Sequence, residues 1–133
     1  MDLAVPVPIS PSRKAERGYN QAALLTLPLA LGKGIPYRTR VLNKVRDTRT
    51  QVGLSVNQRR NNVAGAFKAH GRSVEGMSVL VVDDVLTSGA TMGACAQALV
   101  DAGATQVFGL TLAQAMFHPI ISGYIKDSDS LSR

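Results

Sequence analysis

Val79-Leu80-Val81-Val82-Asp83-Asp84-Val85-Leu86-Thr87-Ser88-Gly89-Ala90-Thr91 is the stretch that decides the fold of this chain. Val79 to Val82 is a continuous aliphatic run, the pattern of a central parallel strand buried on both faces. Two acids close the run, and a short Thr/Ser/Gly loop leads on. Thr91 to Ala102 reads as a helix rich in small residues and stopped by Gly103. Gln106 to Ala113 reads as the next buried strand. Strand, loop, helix and strand in that order make a βαβ unit, so the expected fold class is α/β with a mostly parallel sheet.

The same stretch carries the chemistry. Open α/β sheets bind ligands at the carboxyl ends of their strands, and that is where Asp83 and Asp84 fall. Backbone N–H groups at a helix N-terminus point outward without intrahelical partners, so a loop entering a helix is suited to cradle a phosphate. Gly89 allows close backbone approach, while Thr87, Ser88 and Thr91 offer hydroxyl donors. The acid pair can accept hydrogen bonds from vicinal sugar hydroxyls. A phosphate close to a diol describes a ribose 5-phosphate. An acid pair by itself would read as a helix cap or a solvated loop; here the buried strand, the adjacent acids and the phosphate-type loop coincide.

Outward from this core, Leu3 to Pro8 reads as a strand running into a loop. Arg17 to Leu31 has helical spacing, with Gly32 placed to end it and Pro28 expected to kink or divide it. Tyr37 to Val45 alternates as a strand with one basic face. The polar, basic stretch Arg46 to Val52 follows it. Ser55-Val56-Asn57-Gln58 has the capping-box form of a helix start. Ala66 to Ala69 reads as a short strand. The expected organisation is one domain over 1–125 and a polar tail over 126–133.

At 133 residues the chain is long enough to bury a hydrophobic core. No apolar run reaches the roughly 18 residues of a membrane span. The longest, Ala22 to Leu31, is interrupted by Thr26 and Pro28. No secretory signal pattern is present, so a cytoplasmic location without membrane insertion is expected. The single cysteine, Cys95, excludes an internal disulfide framework and a Cys-rich zinc site, and reads as a buried packing residue. The net charge of +6 is unevenly spread. Residues 1–72 hold thirteen Lys or Arg against Asp2, Glu16 and Asp47, a balance of +10, and residues 73–133 carry −4. This suits a polyanionic ligand that also needs a metal or hydroxyl partner. A solvated basic surface and nucleic acid are the other readings of the same charge.

Val79 to Thr91 resembles the signature of the type I phosphoribosyltransferases. Further stretches are similar to the ComF/GntX-like family (competence protein F): Pro6-Val7-Pro8-Ile9, Glu16-Arg17-Gly18-Tyr19-Asn20-Gln21, and Arg46-Asp47-Thr48-Arg49-Thr50-Gln51. Leu54-Ser55 and Arg59 to Phe67 complete the series, so the resemblance covers residues 5 to about 115. It implies a three-layer phosphoribosyltransferase fold without the Cys-rich zinc module that usually precedes it in ComF-type proteins, which makes the chain a fragment or a short form. Asp83 and Asp84 would contact the ribose hydroxyls directly or through Mg²⁺. Thr87, Ser88, Gly89, Ala90 and Thr91 would hold the 5′-phosphate. Ser10 to Lys14 would be the diphosphate loop, with Arg13 and Lys14 neutralising charge. Arg46 to Leu54 would be a mobile loop bringing Arg46, Arg49 and Gln51 to the diphosphate, excluding water as it closes.

The implied ligand is phosphoribosyl diphosphate or a nucleotide with Mg²⁺. Family resemblance adds DNA uptake in natural transformation, with single-stranded DNA and competence proteins as partners, and a homodimer is allowed. Three functions follow: transfer of the phosphoribosyl group to a nitrogen nucleophile, non-catalytic nucleotide binding, and DNA handling. Aromatic residues make up 5% of the chain, a poor supply for stacking single-stranded bases. Purine-salvage members carry an acid where this chain has Thr87, so a purine acceptor is disfavoured. A receiver domain would need a further Asp at the end of the Gln106 to Ala113 strand. A P-loop would need Gly-Lys-Ser/Thr, and neither feature is present. Tyr37, Phe67 and Phe108 read as core. Tyr19 and Asn20 read as packing and helix-start residues, and Arg59 and Arg60 as the exposed face of a short helix.

Overall fold

A computed structural model describes residues 1–48, 53–84, 89–111, 116–121 and 124–125, the last two segments as backbone only. The strand β4 (Ser78–Asp83) lies between β1 (Leu3–Pro6) and β5 (Gln106–Thr111) and is parallel to both. The register pairs Leu3 with Val79 and Asp83 with Thr111. Val79, Val81 and Val82 are wholly buried. Removing each such side chain from water contributes roughly 1.5–3 kcal/mol.

Both faces of this parallel core are covered because its side chains alternate between them. On one face Leu3, Val5, Val79, Val81 and Val107 pack with Met92, Cys95, Ala96 and Leu99 of α4 (Ala90–Asp101). The same cluster includes Leu42 of β2 (Leu42–Lys44), Val63 of α3 (Val56–Val63) and Phe67 of β3 (Phe67–Ala69). β2 and β3 form a separate antiparallel pair. On the opposite face Ala4, Leu80 and Val82 pack with Ala30 of α2 (Gln21–Lys33), alongside Tyr37 and Phe108. The α/β, three-layer expectation and the core placement of the three aromatics hold. Cys95 is likewise fully buried.

Several local expectations are corrected. The segment Ser10 to Lys14 is not an open loop: Ser10 caps a helix, α1 (Pro11–Arg17), with Pro11 in its first turn. The helix expected from Arg17 therefore divides at Gly18–Asn20, where Asn20 caps α2. Pro28 does not divide α2, because the helix runs unbroken past it with the proline on its exposed side. α2 ends at Gly34 rather than Gly32, in a left-handed conformation (φ 66°) that glycine adopts without strain. The strand expected over Tyr37 to Val45 shrinks to β2, with Tyr37 making only an isolated bridge to Ala4. Tyr19 is exposed rather than packed. The capping box at Ser55 and Gln58 is present as expected.

Beyond β5, the strands β6 (Met116–Ile121) and β7 (Tyr124–Ile125) extend the sheet in antiparallel fashion, giving the order β1-β4-β5-β6-β7. Sequence leaves this stretch without an assigned element. Pro119 pairs with Phe108 of β5, and the pairing described between β6 and β7 involves Ile120 and Ile121. Among the described residues, no helix is long and apolar enough to cross a membrane. The tail 126–133 lies outside the described residues.

Candidate functional site

The site forms where β1 and β4 leave the sheet together. Val7 N–H donates to the Val82 carbonyl at 2.9 Å, so the chain after β1 and the acids after β4 emerge side by side. Ser10 then caps α1, its buried hydroxyl accepting from Arg13 N–H at 3.4 Å. Asn20 holds the next helix to the same strand end. Its Oδ1 accepts from Ala22 and Ala23 N–H, and its Nδ2 donates to the Val7 carbonyl at 3.1 Å.

Asp83 is the last residue of β4. Its Oδ1 accepts from Asp84 N–H at 2.8 Å. Burial, then the side-chain hydrogen bond and charge of Asp84, push its carboxyl up to about 7, against the lowering influence of that backbone N–H. Near neutral pH the Asp83 carboxyl is therefore only partly ionised. Gly89 caps α4 at φ 81°, a left-handed turn that turns the chain into the helix carrying Ala90 and Thr91. Thr87 and Ser88 lie outside the described residues.

The basic side is assembled from α1, β2 and the segment after β2. Lys44 Nζ donates to Thr48 Oγ1 at 2.8 Å and stands 5.7 Å from the centroid of the Phe67 ring. Burial, then the Arg13 guanidinium, lower its pKa. Ser12 Oγ donates to Asp47 Oδ1 at 2.8 Å, tying α1 to the segment after β2. The hydroxyls of Ser10 and Ser12 hold the Asp47 carboxyl below its ordinary range. Arg46 Nη2 donates to the carbonyls of Asn62 (2.8 Å) and Ala64 (2.7 Å), so its guanidinium closes the C-terminal end of α3. Lys14 is exposed on α1; Arg49 and Gln51 lie outside the described residues. Cys95 connects the two sides. Burial pushes its thiol well up, the Asp83 carboxylate pushes it further, and the Lys44 ammonium pulls it down.

The structure thus brings Asp83, Asp84, Ser10, Arg13 and the first turn of α4 to one end of the sheet. Arg46 flanks them, bonded to α3. Two participants were missed from the sequence. Lys44 sits at the end of the strand expected to carry one basic face, and Ser12 meets Asp47 across 35 positions of sequence. Only the alternation of the β2 strand hinted at the first, and nothing local signals the second.

Residues 20–116 match the phosphoribosyl transferase domain family. The chain belongs to that family. Its phosphoribosyl transferase domain is 39% identical over 106 residues to DNA utilization protein YhgH of Salmonella typhi, a match covering 80% of this chain and 46% of that protein. Competence protein F of Haemophilus influenzae is 38% identical over 116 residues, covering 84% and 51% of the two chains. Competence protein ComFC of Bacillus subtilis is 32% identical over 111 residues, covering 83% and 43%. The ComF-type resemblance therefore holds, and the chain spans about half the length of the curated relatives it matches. In three dimensions the domain is similar to glutamine phosphoribosylpyrophosphate amidotransferase from B. subtilis, determined with ADP and GMP. The TM-score is 0.56 at 28% identity, covering 84% of this chain and 22% of that one.

Proposed function

We propose that this phosphoribosyl transferase domain binds phosphoribosyl diphosphate together with Mg²⁺, and that it does so in the cytoplasm in the service of DNA uptake. The observation that carries the reading is the Asp83–Asp84 pair at the carboxyl end of β4, directly before the loop into α4. The donor set fits the metal. Mg²⁺ uses one or two carboxylates and completes its octahedron with water and diphosphate oxygens rather than an all-protein cage. The proton retained by Asp83 reflects burial and repulsion from Asp84, which a divalent cation would relieve. Asp83 and Asp84 would hold the metal or the ribose hydroxyls; when bound, the metal would offset negative charge on the departing diphosphate.

In this reading Gly89, Ala90 and Thr91, with Thr87 and Ser88 before them, receive the 5′-phosphate at the start of α4. Ser10, Arg13 and Lys14 face the diphosphate from α1. Arg49 and Gln51 act from the segment after Arg46, whose base is anchored where Arg46 bonds the α3 carbonyls. Transfer would break the bond from C1 of the ribose to diphosphate and form one to a nitrogen nucleophile, which then loses a proton. The names of the relatives, DNA utilization protein and competence protein, favour a second use of the same basic side: a nucleotide- or single-stranded-DNA-binding adaptor.

Calorimetric titration of phosphoribosyl diphosphate into the chain, with Mg²⁺ and then with a chelator, tests the reading. Binding is expected to require Mg²⁺ and to weaken at least about tenfold in Asp83→Asn/Asp84→Asn, as loss of charge-assisted contacts implies. A folded double variant that binds as tightly as the unaltered chain would refute the site. Absence of binding to the unaltered chain, with tight and salt-sensitive binding of a single-stranded oligonucleotide, would establish the adaptor reading instead.

A further inference from the structure

Lys44 is a half-buried cation to which neither the family motifs nor the reading above gives a role. Its ammonium has three donors, and the structure supplies one hydroxyl acceptor, Thr48 Oγ1, and the face of Phe67. The one ion pair among the described residues, Arg72–Glu75 at 4.0 Å, lies elsewhere, so no described carboxylate pairs with Lys44. The charges that act on it most are Arg13, which opposes it, and Asp47, which is exposed and already bonded by Ser12, the residue before Arg13 on α1. Arg13 donates its backbone N–H to Ser10, and its guanidinium has no hydrogen-bond or ion-pair partner among the described residues. Arg46, the third cation here, is committed to the carbonyls of Asn62 and Ala64.

Two under-compensated cations thus face one exposed acid. Withdrawing an ammonium from water is costly unless an anion or several hydrogen bonds replace the lost solvation, and a single hydroxyl does not. An anion lying between Lys44 and Arg13 would convert their mutual repulsion into two attractions. Lys44 would act as a point charge and Arg13 as a two-pronged donor, the complementary ways in which these residues bind phosphate oxygens. The Ser10 and Ser12 hydroxyls lie on the α1 side of the same place, 3.3 Å apart. Phe67, over which Lys44 stands, shares a core cluster with Val81 of β4 and Cys95 of α4, so Lys44 lies on the α4 face of the strand that ends in the acids.

We infer that Lys44 and Arg13 together form a phosphate-oxygen site between the end of β2 and α1. Lys44 is thereby a binding residue for the diphosphate group of the ligand. Assigning the anion to that ligand rests on the proposed function; the pairing of the two cations around an anion does not. Phosphate oxygens come also from a nucleic-acid backbone, so the experiment separates the sources.

Inorganic diphosphate, phosphoribosyl diphosphate with Mg²⁺, and a short single-stranded oligonucleotide are each titrated into the unaltered chain, Lys44→Met, Lys44→Arg and Thr48→Val. Lys44→Met is expected to weaken inorganic diphosphate by roughly tenfold or more, the cost of one charge-assisted contact. Lys44→Arg should retain most of the affinity. Thr48→Val removes the intramolecular partner and keeps the ammonium, so it should bind at least as well as the unaltered chain. Equal diphosphate affinity in folded Lys44→Met, or no diphosphate binding to any form, would overturn the inference. An affinity loss in Lys44→Met confined to the oligonucleotide would also overturn it, in favour of a nucleic-acid contact. If Lys44→Met does not fold, the ε-CH₂ resonance of Lys44 in the unaltered chain decides: it should move on adding diphosphate, and a fixed resonance at saturation overturns the assignment. Diphosphate bound through Lys44 while phosphoribosyl diphosphate is refused would sustain this site and refute the proposed function. Phosphoribosyl diphosphate bound without regard to Lys44 would do the reverse.

Discussion

Replacing Asp83 with Asn should make the protein relatively more stable as the pH rises. The Asp83 carboxyl is raised from 3.8 to about 7, first by burial and then by Asp84. An acid whose pKa is higher in the folded state binds more protons folded than unfolded between those two values. Stability then falls as pH climbs through that window and levels off above about 7. A displacement of about three, at about 1.4 kcal/mol for each factor of ten in acidity, sets an upper bound near 4 kcal/mol. Partial solvent access to the side chain brings the expected cost to about 2–4 kcal/mol. Asparagine carries no such cost, so the stability difference between Asp83→Asn and the unaltered chain should shift in favour of the variant by that amount between pH 4.5 and pH 8. Contacts that asparagine gains or loses are the same at both pH values and cancel. Urea unfolding followed by circular dichroism at the two pH values, without Mg²⁺, measures it. With an m-value of about 2 kcal/mol per molar, the variant's midpoint should gain about 1–2 M relative to the unaltered chain. A difference that stays constant with pH, or that shifts in favour of the unaltered chain at pH 8, would refute the burial argument for Asp83.

Arg46→Ala should cost about 1 kcal/mol of stability, because the Asn62 and Ala64 carbonyls lose a charged donor but remain open to water. Lys should restore less than half, since one ammonium cannot reproduce both short contacts; thermal unfolding of the three forms checks this. Asn20→Ala should cost about 2 kcal/mol by the same measurement, roughly half from the lost cap of α2 and half from the Val7 carbonyl. Asn20→Asp should recover the cap portion only, because it keeps the Oδ1 acceptor and loses the Nδ2 donor.

What was legible in the sequence is what short-range pattern encodes. β4 holds a run of four aliphatic residues, Val79 to Val82, closed by two acids, the pattern of a strand covered on both faces. The Ser55–Gln58 box is a reciprocal pair three residues apart. α1 was not recognised because it buries no residue and so leaves no hydrophobic period, although Ser10-Pro11 is a valid start signal. β6 was left unassigned, and Pro119 within it is a residue that short-range pattern reads against a strand. In the site, the acids were found because they follow β4 directly. Lys44 and Ser12 were not, because their surroundings are set by how β2–β3 packs beside α1, a matter of tertiary placement. Arg46 was assigned to the ligand by family motif, and its bonds to the end of α3 depend on a contact 16 and 18 residues away in sequence.

The basic half of the chain, with its balance of +10, does not neutralise the acids. Had a lysine or arginine been placed against Asp83, its carboxyl would be held low, whereas it is raised, and no cation is among the influences on it. Likewise the cation Lys44 is lowered by burial and by Arg13, with Asp47 opposing only in part. Opposite charges have been brought to one end of a sheet and kept from pairing, an arrangement that costs stability on both sides. Unrelieved charge of this kind is characteristic of binding sites, and the proposed ligand would relieve it. That ligand would present an anion to Arg13 and Lys44, and either hydroxyls or a cation to Asp83 and Asp84. A bare phosphate satisfies only the first demand, and a free divalent cation only the second. A sugar diphosphate chelated to Mg²⁺ satisfies both, so the two halves of the site should bind it cooperatively: Lys44→Met should weaken Mg²⁺-dependent binding even though Lys44 touches no metal.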